Sequence, residues 1–324
     1  MNGRIVIAAG LIALFSSTAG AQVSPSCPGG TIQEQATQDA CQKAIDLFQY
    51  MAPQLGTVVA GGNATLGQGG TLGGFPHFSV GIRANALHGS LPNIEAHDPS
   101  VTGAQQSTYE PKSQFLGLPA VDAAIGVFAG LPLGLTNVGG VDLLLSAWYI
   151  PEIAGQGVEV AAPDGSLKIG YGARVGLLQE SLLMPGLSAT YMKRDLPVLD
   201  LTGTAGNGSL AVRALDVQTT SWRIVASKSM ILFGLAAGFG KDTYKTSANI
   251  QASAGGFDSQ EFAAAQNITR TSVFGNASMS LLMLKAVAEI GHVSGGEIVT
   301  YNQFDGKKAD DSRLYGSIGL RFGF

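Results

Sequence analysis

The stretch "SLKIGYGARVGLL" (residues 166–178) changes character at every step. Leu167, Ile169, Tyr171, Ala173, Val175 and Leu177 form an apolar series, while Ser166, Lys168, Gly170, Gly172, Arg174 and Gly176 between them are polar or nearly bare. Successive side chains of a strand point to opposite faces, so this segment has one greasy face and one that is charged or open. "PHFSVGIRANAL" (76–87) reads the same way, with Phe78, Val80, Ile82, Ala84 and Ala86 against His77, Ser79, Gly81, Arg83 and Asn85.

Ten such segments follow one another, at about 76–88, 120–130, 138–150, 166–178, 185–194, 214–227, 229–240, 271–281, 284–294 and 312–324. Their lengths suit tilted strands that cross a bilayer. The gaps between them run 31, 7, 15, 6, 19, 1, 30, 2 and 17 residues, long and short in turn. A soluble sandwich has no reason to sort its loops by end, whereas a membrane barrel has long loops on one side and tight turns on the other. Charged residues are only 13% of the chain and glycine supplies 45 of 324 positions, against roughly 25% charged and 7% glycine in soluble domains. The fold expected is all-β, an antiparallel transmembrane β-barrel of about 10–12 strands with a short N-terminal helical segment.

The chain begins "MNGRIVIAAGLIALFSSTAGAQ": one basic residue, an apolar run, then small residues up to Ala21. This is the three-part pattern of a secretory leader, and its apolar core is too short for a spanning helix. The expected division is a leader over 1–21, a disulfide-tied helical and Gly-rich plug or periplasmic segment over 22–75, and a barrel over 76–324. Without the leader, 18 Lys and Arg face 23 Asp and Glu, a mildly acidic balance that gives no nucleic-acid signal. Cys27 and Cys41 are the only cysteines, and an oxidising compartment favours their pairing. Ile32, Ala36, Ala40, Ala44, Ile45, Leu47, Phe48 and Met51 recur at helical spacing, and Pro53 is expected to end that helix. Residues 52–75 admit either a strand over 56–66 or a course folded into the lumen.

The terminal "LYGSIGLRFGF" (314–324) resembles the last strand of Gram-negative outer-membrane β-barrels, in which a C-terminal phenylalanine preceded by alternating apolar residues is read by the barrel-assembly machinery. The matching positions are Leu314, Ile318, Leu320, Phe322 and Phe324, with Phe322 and Phe324 as the assembly signal. Residues 44–88 and the "SWRIVASKSMILFGLAAGFG" hairpin (221–240) resemble a group of functionally uncharacterised exported barrels. Long-chain fatty-acid transporter barrels, which are longer, are similar in having an N-terminal helical plug. These resemblances imply the cell outer membrane as location, with its lipid and the assembly machinery as partners.

Arg83, Lys168, Arg174, Arg223, Lys285, Glu289, Arg321 and Asp142 fall on the face opposite the apolar series, which makes them candidates to line the lumen. They admit two readings: a closed network that stabilises the interior, or a solute path with mild anion preference. His77, His88, His97 and His292 form no metal-ligand spacing, Ser209, Ser227 and Ser229 lack a matching histidine, and the Gly pairs lack a following Lys-Ser/Thr. No enzyme activity, metal or cofactor is expected. Trp148, Tyr149, Tyr191, Trp222, Phe239, Tyr244, Tyr315, Phe322 and Phe324 are candidates for aromatic girdles at the lipid headgroups, while Tyr171 is central to its segment and does not fit. The function expected is a passive channel or transporter for small or hydrophobic solutes, with a structural or adhesive barrel acting through its loops as the alternative. Heat-modifiable electrophoretic migration and a requirement for detergent are the expected behaviour of the purified protein; a soluble, detergent-free monomer would return the reading to a β-sandwich.

Overall fold

The computed structural model describes residues 22–93, 98–155, 158–205 and 208–323. The expected leader, His97 and Phe324 lie outside the described residues. One helix, α1 (Ile32–Ala60), precedes ten ring strands: β1 (Phe78–Pro92), β2 (Pro111–Phe128), β3 (Gly140–Tyr149), β4 (Leu167–Leu178), β5 (Gly186–Asp195), β6 (Gly208–Ser229), β7 (Phe233–Ala254), β8 (Phe262–Leu281), β9 (Leu284–Ser294) and β10 (Arg313–Gly323). Each pairs antiparallel with the strands before and after it in this order. β1 also pairs with β10, from Ser79 opposite Gly323 to Leu87 opposite Tyr315, which joins the first strand to the last and makes the sheet a ring. The ring therefore has ten strands, the lower figure of the range expected.

The outward face changes composition along the strands. On β7, Phe233, Leu235, Ala237 and Phe239 face out and are followed by Lys241, Thr243, Lys245, Ser247, Asn249 and Gln251; on β8, Leu281, Met279, Ala277 and Val273 give way to Thr271, Thr269 and Asn267. The short turns close this apolar belt, with Leu182, Ile231 and Leu282 almost fully exposed. From Ile231 to Phe239 the belt is about 20 Å tall at ~3.3 Å per residue and ~40° tilt, a little below the ~25 Å of membrane barrels. Beyond it, at the long-loop end, the outward face is polar and the wall continues. β6 and β7 are each 22 residues long, so much of the expected 241–270 loop is strand.

Helix α1 is 29 residues long, not short, and it does not stop at Pro53. Proline cannot donate to the carbonyl four residues back. Here that carbonyl, on Gln49, is taken by Gln266 Nε2 of β8 at 3.1 Å. The helix begins at the long-loop end, enters the ring and ends near the upper edge of the belt, and residues 61–74 run on toward the short-turn end. No strand forms over 56–66. Three of the aromatics expected at lipid headgroups, Trp148, Tyr244 and Tyr315, instead point inward and are buried, because the plug gives them something to pack on. Substituting Gln266→Leu should lower the urea unfolding free energy by about 1–3 kcal/mol by orphaning the Gln49 carbonyl. Adding Pro53→Ala, which restores an intrahelical donor, should recover most of that loss in the same titration.

Candidate functional site

The interior is organised around the plug. Thr31 and Glu34 cap the start of α1 reciprocally, with Glu34 N donating to Thr31 Oγ1 at 3.2 Å and Thr31 N to Glu34 Oε2 at 2.8 Å. This satisfies two of the helix's orphan amides. A Cys27–Cys41 disulfide ties the preceding turn to the helix. Further along, Asp39 accepts from Lys43 Nζ at 2.6 Å and from the amides of Ser100 and Gln105. Asp46 accepts from the amides of Tyr301 and Asn302, from Asn302 Nδ2 at 2.6 Å and from Gln42. Burial pushes the Asp46 carboxyl above its ordinary value, against the lowering effect of these bonds. Two helix carboxylates thus hold two long connections over the outer mouth. Tyr50 stacks on Phe304 there at 4.1 Å.

The other end of α1 presents carbonyls with no helical partner. Arg83 Nη1 donates to Gly61 O at 2.6 Å, and Asn85 Nδ2 to Val58 O and Gly61 O at 2.9 and 2.7 Å. Arg194 Nη1 donates to Ala60 O and Gly62 O at 2.9 and 3.0 Å, and Arg223 Nη2 to Ala60 O at 2.5 Å. Cations at a helix C-terminus also complement its dipole. The wall fixes the arginines in turn. Asp122 receives Arg83 Nε and Nη2 at 2.7 and 3.0 Å and Ser146 Oγ at 2.6 Å, and Trp148 lies under the Arg83 guanidinium. Asp242 stands 3.8 Å from Arg223.

Residues 61–74, "GGNATLGQGGTLGG", contain seven glycines and fill the ring at belt level. A Cβ on Gly69 would fall 2.4 Å from Ser227 N, and one on Gly74 2.6 Å from Ala129 N. Only a chain without side chains at these points fits so close to the wall. Arg174 Nε and Nη2 grip Asp142 at 2.8 and 2.5 Å, Arg174 Nη1 donates to Thr65 Oγ1, and Leu72 N donates to the Asp142 carboxylate at 3.1 Å.

All eight proposed lumen residues, Asp142 among them, lie on inward positions. Arg83, Arg174, Arg223 and Glu289 are buried in the interior, Glu289 receiving Asn276 Nδ2 and Tyr315 OH at 3.2 and 3.3 Å. Lys168 lies toward the long-loop end and Lys285 and Arg321 at the short-turn end, which separates these three from the central group. Asp122, Arg194 and Asp242 belong to the network without having been singled out. Inward parity within their own strands would have found the first two; Asp242 fell in what reads as a loop. Among the described histidines, His77 contacts Gly74 O while His88 and His292 face outward, so no cluster forms.

Two cavities adjoin the plug. One of about 290 Å³ lies at the outer end between α1 and the raised wall, lined largely by apolar groups including Ala40, Ala44, Leu47, Leu201, Leu210 and Val212. The other, of about 380 Å³ and more polar, opens at the short-turn end.

The chain matches no protein-family model and no curated protein. Among solved structures, it is similar to the outer-membrane protease OmpT of Escherichia coli, at 11% identity over 77% of this chain and 97% of that one, with a TM-score of 0.40. The toluene transporter TodX of Pseudomonas putida is similar at 10% identity over 76% and 88%, with a TM-score of 0.29. The outer-membrane channel DcaP of Acinetobacter baumannii gives 10% over 76% and 96%, with a TM-score of 0.20. Likenesses of this size carry no argument about activity.

Because Ala60 O has two arginine donors, losing one leaves the other. Arg194→Met and Arg223→Met should each cost about 1–2 kcal/mol in urea titrations, and the double variant should exceed their sum by about 1 kcal/mol or more. Strict additivity would mean that the shared carbonyl is not what the pair supports.

Proposed function

We propose that the protein is an outer-membrane barrel that transports a small, largely apolar solute and is held closed here by its own plug. The observation that carries this reading is how the lumen is filled at membrane level. A ring of ten strands is wider than one packed shut by side chains alone. Its interior holds a glycine-rich thread attached by hydrogen bonds that it accepts from Arg83, Asn85, Arg174 and Arg194 and one that its Leu72 amide donates to Asp142. Closure by an apolar core would avoid burying these charges. Bonds of this kind can be exchanged for water, so the thread suits a movable obstruction.

The solute class rests on the outer cavity. Its volume is near the lower end for ligand sites and its lining is largely apolar, which favours a compact hydrophobic molecule captured from the long-loop side. The outer-membrane location rests on the apolar belt and on the sorting of loops by end. The reading assigns no catalytic step. A second reading, a structural or adhesive barrel, is favoured by the polar-faced wall that rises beyond the belt.

A cross-link separates the two readings. A Cβ on Gly56 lies 2.8 Å from Tyr244 Cβ, so Gly56→Cys with Tyr244→Cys needs about 1 Å of adjustment to reach disulfide geometry. In proteoliposomes, oxidised double-cysteine protein should take up a neutral aromatic probe such as phenol no faster than empty vesicles do. Reduction should restore the wild-type rate, with reduced wild type as the control for Cys27–Cys41. Wild-type uptake equal to that of empty vesicles would favour the adhesive reading, and uptake above that level but unaltered by the cross-link would overturn closure by the plug.

A further inference from the structure

The short-turn cavity contains an arrangement that neither the plug nor the transport reading uses. Lys285 and Arg321 are directly opposite one another across the β9–β10 ladder. Ser280 continues the same level on β8, opposite Lys285, and Gly81 on β1, opposite Arg321. All four are inward positions, and Gly81 brings no side chain to a level where an added Cβ would already fall 2.7 Å from Leu320 O. Like charges directly opposite in a ladder destabilise it. No close ion pair offsets this: among the described residues neither makes one within 4.0 Å, and Arg321 Nη1 is buried without a hydrogen-bond partner.

Glu180 is the one carboxylate among the cavity's described lining residues. Its oxygens are engaged by Ser227 Oγ at 3.0 Å, by Ser229 N and by Ser229 Oγ at 3.5 Å. Those bonds anchor the β6–β7 turn, and the Glu180 charge acts on Lys285 only from beyond ion-pair distance. The other two guanidinium groups nearest in the belt are committed, Arg174 to Asp142 and Arg83 to Asp122. The cavity, about 380 Å³, also has Gln68, Thr71 and Ser79 in its lining, while Phe78, Leu282, Met283 and Leu284 form an apolar rim.

We infer that this cavity is a phosphate-binding site, with Arg321 and Lys285 as its cationic clamp and Ser280 as an adjoining donor. A guanidinium and an ammonium on one level present separate donors to different oxygens of a tetrahedral anion, and charge-assisted bonds are the strong ones. The phosphate has two available sources. The apolar rim continues the lipid-facing belt at the depth of headgroups, which fits a phospholipid whose chains lie on the barrel exterior. The opening toward the short-turn side equally admits free phosphate. The site does not depend on the transport reading, since its cations stand on wall strands β9 and β10 and it asks nothing to move, although Gln68, Thr71 and Leu72 of the plug share its lining.

The test uses the full-length protein. In detergent micelles, inorganic phosphate is titrated against chloride at constant ionic strength while thermal unfolding is followed. In parallel, native mass spectrometry counts phosphatidylglycerol retained after extraction from mixed phosphatidylglycerol and phosphatidylcholine vesicles. A saturable rise in transition temperature with phosphate assigns the free ion; retained phosphatidylglycerol that excess phosphate displaces assigns the lipid; either supports the site. Lys285→Gln and Arg321→Gln should each weaken the effect about tenfold. If the double variant fails to fold, the single Lys285→Gln and the wild-type titration still decide. Absence of both effects in the wild type, or equal effects in the variants, overturns the inference. A wild type indifferent to phosphate, with Lys285→Gln more stable than it, would mean that the two cations repel one another in water and bind nothing.

Discussion

A helix that ends inside a ring leaves carbonyls where water has little access, and much of this molecule is arranged to answer that. Val58, Ala60, Gly61 and Gly62 receive their hydrogen bonds from Arg83, Asn85, Arg194 and Arg223 on three different strands. An unmet buried carbonyl costs more than a made bond returns, so those side chains must be donors aimed inward, and the three arginines among them bring charge with their reach. Charges so placed need partners of their own, which Asp122 and Asp242 supply from neighbouring strands. The wall and the plug therefore specify one another. A slip of one residue in any of these strands would turn its arginine toward the lipid.

Period-two alternation made the ring legible because hydrocarbon outside and a polar interior impose opposite demands on adjacent residues. It locates all ten strands and the parity of the inward charges. It fails beyond the belt for a physical reason. Above Lys241 the exterior meets water while the interior packs on α1, so the phase of the alternation inverts: Ala248, Ile250 and Ala252 point in and Ser247, Asn249 and Gln251 point out. A search for apolar residues on the original face reads this as a loop, which is why Asp242 escaped notice. Trp148, Tyr244 and Tyr315 misled for a related cause, since an aromatic near the end of a strand serves lipid or plug equally well. Pro53 misled because its cost is met from another element, by Gln266, and no local pattern reports that.

The interior is divided by depth. Above the belt, α1 fills the ring with ordinary apolar packing against Ala248, Ile250, Ala252 and Ala264. Within the belt the filling becomes an irregular thread held mainly by polar contacts. The rigid part of the plug thus occupies the part of the ring that stands in water, and the part without regular hydrogen bonding occupies the part that stands in lipid. Resistance to passage is concentrated in a few charged contacts over the length of residues 61–74.

The course of the plug also constrains the order of construction. Residues 22–60 lie toward the long-loop end, whereas β1 starts at the short-turn end, so the chain passes through the ring along its axis. For a barrel inserted from its short-turn side, that segment has to reach the far side while the ring is still open, because the finished lumen has no room for a folded helix. The seam between β1 and β10 joins the first strand to the last. Zipping it encloses the protein's own N-terminal region, so construction of the wall and delivery of the helix become one event.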